Sequence, residues 1–265
     1  MKQRVIYGTL FAILTLVMIV SSVYTRVAFF VACCLISCHE MRGALKNCGY
    51  ETHYWPPVLL CLSGSLLLCI GKSGYVFPVF MVIMIALFGQ MILFGKINVK
   101  NVLATMAICA YPLSPILLMV YISSSDLLWA AVFLNSILPA IVSDTFALFG
   151  GRRFGRRKLS PHISPNKTVE GLFCGLAAGT ASGLLVHLIL SVFKKSVIPL
   201  WAEVIAALMS SLAGALGDLA ASAIKREAKI KDYSHLIPGH GGMLDRVDSS
   251  LFAIPVAYMI YAFFV

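Results

Sequence analysis

Apolar residues in this chain come in long unbroken blocks, with polar residues confined to short gaps between them. About 20 consecutive apolar residues carry a helix across the hydrocarbon core of a bilayer. On that template the sequence predicts nine segments: 5–23, 27–36, 57–70, 76–94, 102–122, 127–149, 169–193, 198–224 and 249–265. The second and third are short for a full crossing, so tilted, re-entrant or polar-extended helices remain open for them. The last runs into the end of the sequence. The predicted fold class is therefore all-α, a polytopic membrane protein of about nine transmembrane helices, with no internal repeat and no low-complexity linker.

Composition sharpens this reading. Of the 265 residues, 60% are hydrophobic and 12% charged, against about 25% charged in a soluble domain. A water-soluble globule and a disordered chain are both excluded. The net charge of +10 would suggest nucleic acid in a soluble protein, but no recognition motif accompanies it. Membrane proteins concentrate Lys and Arg in cytoplasmic loops. With the N-terminus cytoplasmic, nine spans put seventeen of the 21 basic residues inside and leave Arg26, Lys72, Lys194 and Lys195 outside. Lys2 and Arg4 precede the first apolar run, which with spans following it throughout reads as an uncleaved first helix rather than a signal peptide. Seven of the eight cysteines lie in apolar runs without a CxxC pair, so they read as small hydrophobic side chains, with no metal or redox role.

Acidic residues are distributed unevenly. Only Glu40, Glu51 and Asp126 occur before residue 144; the other eight lie between Asp144 and Asp248. Residues 1–143 thus read as a membrane scaffold and 144–265 as the catalytic or binding region, with cytoplasmic loops 150–168 and 225–248. The first loop follows Asp144 and mixes Arg152, Arg153, Arg156, Arg157, Lys158 and Lys167 with glycines, Ser164 and Thr168. That mixture suits phosphate, because glycine lets backbone N–H groups approach while Lys and Arg supply charge. It is not a Walker A loop, and a loop touching anionic lipid heads is an equal reading. Glu170 at the start of a span suits the helix dipole.

The later polar run carries more information. Asp218 lies late in an apolar helix, where an acidic residue is costly and marks a functional candidate; Asp144 stands similarly at the end of its span. Glu203, near a helix start, reads instead as an interfacial cap. In the second loop Asp245 and Asp248 are spaced i, i+3 and share a face if that run is helical. Two such carboxylates suit Mg²⁺, which takes one or two together with waters and substrate phosphates. A structural ion-pair network has the same composition. His240, between glycines, reads as a structural hydrogen-bonder before a catalytic one.

Taken together, Ser222-Ala223-Ile224-Lys225-Arg226, then Lys231-Asp232, then Pro238-Gly239-His240-Gly241-Gly242-Met243-Leu244-Asp245-Arg246-Val247-Asp248 resembles the signature of the phosphatidate cytidylyltransferases, also called CDP-diacylglycerol synthases. The stretch 164–171, Ser-Pro-Asn-Lys-Thr-Val-Glu-Gly, is similar to a second conserved stretch of that family, with Asn166 where a Lys is common. Length and span pattern are similar to the bacterial form; residues 1–143 match in hydropathy alone.

The resemblance implies transfer of the cytidylyl group of CTP to phosphatidate with Mg²⁺, giving CDP-diacylglycerol and pyrophosphate, at a bacterial inner membrane with the site facing the cytoplasm. It implies an acidic metal site, assigned here to Asp218, Asp245 and Asp248 and holding one or two ions. Lys225, Arg226 and Arg246 are assigned to nucleotide phosphates, and Lys167, Ser164 and Thr168 to CTP or phosphatidate phosphate. Ser222, Asp144 and His240 complete the expected site. Membrane lipids are further partners, nucleic acid is not, and a homodimer rests on the resemblance alone. The alternatives are another membrane CTP-dependent lipid enzyme, such as a polyprenol kinase or other CDP-lipid synthase, and an anionic-lipid transporter.

Overall fold

The computed structural model describes residues 17–18, 20–93, 98–236 and 241–264. The described residues are mostly helical, with one short hairpin. Among the described residues seven helices are long and apolar enough to cross a membrane, which makes this a multi-pass integral membrane protein. Most of the expected span 5–23 lies outside the described residues, as does His240. Many large apolar side chains face outward, among them Phe77, Ile85, Phe173, Met259 and Phe263. Such surfaces suit lipid and would be anomalous in water.

The residues fall into two compact units. One contains Met1–Ser124 and Glu227–Arg246, the other Ser125–Arg226 and Val247–Val265. The first unit begins with helix α1, Val23–Asn47, where Ser22 accepts the Thr25 N–H as N-cap. This helix is longer than the expected 27–36, because His39, Glu40 and Arg42 continue it rather than end it. Helix α2, Trp55–Cys69, has 15 residues, about 22 Å at 1.5 Å per residue, too short to cross a hydrocarbon core of about 30 Å. A 3₁₀ turn, Ser73–Tyr75, leads into α3, Val76–Leu93.

The expected single span 102–122 is built as two helices. Helix α4, Val99–Ile108, and helix α5, Ser114–Ser123, are joined by a π turn at Cys109–Leu113. Pro112 removes a backbone donor there, and Tyr111 leaves helical geometry at φ −148°, ψ 115°, the usual origin of a kink. Arg26 is buried in this unit. It donates from Nη1 to the Ser123 carbonyl at 3.1 Å, at the C-terminal end of α5, and from Nε and Nη2 to the Ser21 carbonyl.

In the second unit, helix α6 is Asp126–Phe154, capped by Ser125. A short antiparallel hairpin follows, β1 Lys158–Ser160 and β2 Ser164–Thr168, pairing Lys158 with Thr168 and Ser160 with Ser164. Helices α7, Val169–Val192, and α8, Leu200–Glu227, complete the unit together with most of α9, Leu244–Phe264. The buried face of α7 carries Gly171, Gly175, Gly179 and Gly183. That small-residue stripe lets α7 pack closely on α6 through Gly171 and Gly175 and on α8 through Gly183, the usual device where no hydrophobic effect drives helices together.

Glu203 differs from its reading as an interfacial cap. It is fully buried: the Asn135 amide donates to its Oε1 at 3.0 Å and the Tyr261 hydroxyl donates to the same atom. Asn135 also donates to Tyr261 Oη at 3.1 Å. One polar knot thus ties α6, α8 and α9 inside an apolar bundle. Replacing Tyr261 by Phe removes a donor from this knot. The expected cost is about 1 kcal/mol, read as a lower midpoint in detergent thermal denaturation, while the exposed Phe263→Leu leaves the midpoint unchanged.

Candidate active site

The polar site of the second unit is assembled where four elements end or begin. Lys167 comes from β2, immediately before α7; Asp144 lies in the C-terminal part of α6; Asp218 and Ser222 lie one turn apart on α8; Asp248 and Ser249 lie near the start of α9. Lys167 Nζ is 2.5 Å from Asp218 Oδ2, with roughly a quarter of each side chain exposed. Ser222 donates to Asp218 Oδ1 at 3.4 Å. Asp144, Ser164, Asn166, Lys167, Thr168 and Asp218 line one cavity of about 350 Å³, whose remaining walls are mostly Ala and Leu.

A second set adjoins in the same unit. Ser249 Oγ donates to Asp144 Oδ2 at 3.2 Å and lies 3.2 Å from Asp248 Oδ1, which also accepts the Ser249 N–H at 2.7 Å. Lys225 Nζ is 4.0 Å from Asp248 Oδ2. The negative charge of Asp218 acts on both Asp144 and Asp248. Gly217 helps bring these groups together, because a Cβ there would lie 2.7 Å from the Asp248 carbonyl. The site thus interleaves three carboxylates with two lysines inside a mostly apolar wall. Charges so placed interact more strongly than in water.

Hydroxyl and basic residues around the cavity also hold the framework. Thr168 Oγ1 accepts the Gly171 N–H at 3.1 Å and caps α7. Glu170, in the first turn of α7, accepts the Arg156 and Arg157 N–H groups at 3.0 and 3.2 Å, so it ties the arginine-rich loop back to the helix. Arg226 donates from Nε to the Ile163 carbonyl at 3.3 Å, linking the end of α8 to the hairpin.

Asp245 has a different setting. It belongs to the first unit, where its Oδ2 accepts the N–H groups of Tyr233 at 2.8 Å and of Gly242 at 3.0 Å. It is three residues from Asp248 in the opening turns of α9, as its spacing requires. Arg246 is exposed on the same turn. Glu40, which sequence reasoning assigned to the scaffold, reaches this run from α1. It is buried and accepts from Ser234 Oγ at 2.6 Å, Met243 N at 2.9 Å and Leu244 N at 2.7 Å. Its being the one acidic residue of a mainly apolar helix was the available signal; its partners lie about two hundred positions away in sequence.

Among the described residues no three His, Cys, Asp or Glu side chains converge to hold a metal ion by themselves. A magnesium ion commonly uses one or two protein carboxylates and completes its shell with water and substrate phosphates. Asp218 and Asp248, flanked by Asp144, fit as such a partial set.

The fold and site define a polytopic membrane protein that gathers carboxylates, lysines and hydroxyls at one end of a helical unit. The chain belongs to the cytidylyltransferase family, whose sequence profile matches residues 2–264. It is similar to a phosphatidate cytidylyltransferase of Bacillus subtilis (strain 168), 43% identical over 122 residues, which cover 46% of this chain and 44% of that protein. It is similar to enzymes of the same name from Staphylococcus saprophyticus, 43% identical over 123 residues and 46% of each chain, and from Brucella abortus biovar 1, 42% identical over 133 residues, 50% of this chain and 47% of that protein. Aligned in this way, the chain spans about half the length of the curated relatives it matches.

Thr168 separates a framework role from a binding role. Thr168→Ser keeps a capping hydroxyl and is expected to match the wild-type thermal midpoint. Thr168→Ala loses the cap at about 1 kcal/mol, and the midpoint falls by a few degrees.

Proposed function

We propose that this protein transfers the cytidylyl group of CTP to phosphatidate. An oxygen of the lipid phosphate bonds to the α-phosphorus of CTP, the bond from that phosphorus to the bridging oxygen breaks, and pyrophosphate leaves. The products are CDP-diacylglycerol and pyrophosphate. The observation that carries the reading is the Lys167–Asp218 pair in its cavity, together with Asp144, Asp248 and Lys225, within a chain of the cytidylyltransferase family.

The chemistry accounts for the residue types. A phosphate monoester is already an anion near neutral pH, its second pKa being about 6, so the attack needs no strong general base. The obstacle is repulsion between two polyanions. Lys167 and Lys225 bind and neutralise phosphate oxygens, and Arg226 and Arg246 add charge for the nucleotide. Ser164, Ser222 and Thr168 orient phosphate oxygens as hydroxyl donors. Holding both anions in line supplies the rest of the rate.

Mg²⁺ belongs to the proposal: when bound, it neutralises phosphate charge and stabilises the attacking and leaving oxygens. Asp218 and Asp248 would hold it, with Asp144 beside them and Asp245 contributing from the start of α9. The asymmetry of basic residues supports a site open to the cytoplasm at a bacterial inner membrane, where the lipid's tails need not leave the bilayer. A homodimer completes the proposal and is checked by cross-linking in native membranes.

The test uses purified protein in liposomes with labelled CTP, phosphatidate and Mg²⁺. Equal amounts of CDP-lipid and pyrophosphate, abolished by EDTA, are expected. Turnover of CTP with another lipid alone reassigns the substrate; no CTP turnover with any lipid restores the transporter reading. Asp218→Ala and Lys167→Ala are each expected to lower kcat/KM about a hundredfold or more, the scale of removing one charge-stabilising group, with the thermal midpoint within a few degrees of wild type.

A further inference from the structure

Glu40 is a carboxylate without a part in the chemistry just described, yet it accepts three hydrogen bonds. It sits in α1 with 4% of its surface exposed. Its Oε1 accepts from Ser234 Oγ and Met243 N, and its Oε2 from Leu244 N. Met243 and Leu244 stand at the beginning of α9, where backbone N–H groups lack partners within the helix. A carboxylate there satisfies two of them and meets the positive end of the helix dipole.

The two consecutive glycines of the loop follow from this arrangement. A Cβ on Gly242 would fall 2.5 Å from Glu40 Oε1. Gly241 has φ +81°, and a Cβ there would lie 2.9 Å from Asp245 Oδ2. One carboxylate therefore holds the loop from α1 and another from the first turn of α9, each facing a glycine that leaves it room.

We infer that Glu40 is a positioning residue of the transfer reaction: as a charged cap supplied by α1, it fixes where α9 begins and so the register of Asp245 and Asp248. This rests on the proposed activity, and it gives the N-terminal half a role beyond membrane scaffolding. The cap, not a contact with substrate, is the means. Its loss should therefore lower turnover with little change in substrate affinity.

The experiment compares Glu40→Gln, Gly242→Ala and Ser37→Ala with wild type in nanodiscs. Ser37 is buried one turn earlier on α1 and its hydroxyl makes no hydrogen bond among the described residues, so it serves as control. Amide hydrogen exchange reads Met243 and Leu244; steady-state kinetics with CTP and phosphatidate give kcat and KM separately. For Glu40→Gln, exchange at these two amides should rise about tenfold to a hundredfold, the scale of a hydrogen bond to a charged group. Its kcat should fall at least about tenfold, with KM for CTP within about threefold. Ser37→Ala should match wild type in both readouts. Unchanged exchange in Glu40→Gln overturns the proposal, and so does faster exchange with unchanged kcat. If Glu40→Gln does not fold, Gly242→Ala disturbs the same contact with the carboxylate intact. It should shift exchange and kcat in the same directions, and wild-type behaviour from it overturns the proposal. A wild-type protein inactive with CTP refutes the assigned activity instead, and the exchange arm still decides whether Glu40 holds the loop.

Discussion

A bilayer core offers no water to a polar group, so each charge drawn toward it must find its partner in the protein. The Lys167–Asp218 contact at 2.5 Å is the centre of that requirement in the second unit. Each group is the other's nearest opposite charge, and the apolar wall of their cavity strengthens their attraction. Around this pair Ser222, Ser249, Asp144, Asp248 and Lys225 are placed so that one group's lone pairs meet another's protons or charge. The helix ends that carry them are held in turn by Thr168, Glu170 and Arg226.

Acidic residues solve the same problem in different ways. Glu203 stays deep in the bundle, held by an amide and a phenol. Glu40 and Asp245 take backbone N–H groups near the start of α9. Glu170 takes two from the arginine-rich loop. Asp218 and Asp248 are set beside lysines. Glu40, Glu170 and Glu203 thus serve the framework, whereas Asp218 and Asp248 have lysines as charged partners and can exchange them.

Much of this was legible in the sequence, and the limits have physical causes. The spans beginning near residues 76, 169 and 198 were found to within a few residues, because continuous apolar runs are a strong signal. The expected span 27–36 was too short: hydropathy stops at the first polar residues, whereas the helix continues wherever buried polar groups are satisfied. The break at Cys109–Leu113 was implicit in Pro112 and Pro115, but apolar composition concealed it. Asp218 was singled out as a charge inside an apolar segment, Asp248 by its spacing from Asp245, and Lys167 by the phosphate-suited composition of its loop and the family resemblance. Glu40 and Glu203 were passed over because their partners, Leu244 and Tyr261 among them, are distant in sequence, and a single charge does not announce what it faces. Asp245 was assigned to the metal site with Asp218 and Asp248 through the resemblance; the loop N–H groups on its Oδ2 become visible only when the chain is folded.

Interleaving opposite charges also answers a difficulty in the proposed reaction. A site made only of lysines would bind polyanions well, but in their absence those cations would repel one another in a poorly hydrated cavity. A site made only of aspartates would repel both substrates. With Lys167 on Asp218 and Lys225 near Asp248, the lysines and two of the three carboxylates are in opposite-charge contact before any ligand arrives. In the proposed reaction an incoming triphosphate would compete for the lysines, and the carboxylates so released would be the groups to hold a metal ion. Binding therefore exchanges ion pairs without creating isolated charges, which limits the desolvation cost of a buried charged site. This requires the pairs to sit where both nucleotide and lipid phosphate can reach them. In the second unit they sit at the ends of the helices, where lipid-facing surface gives way to polar loops.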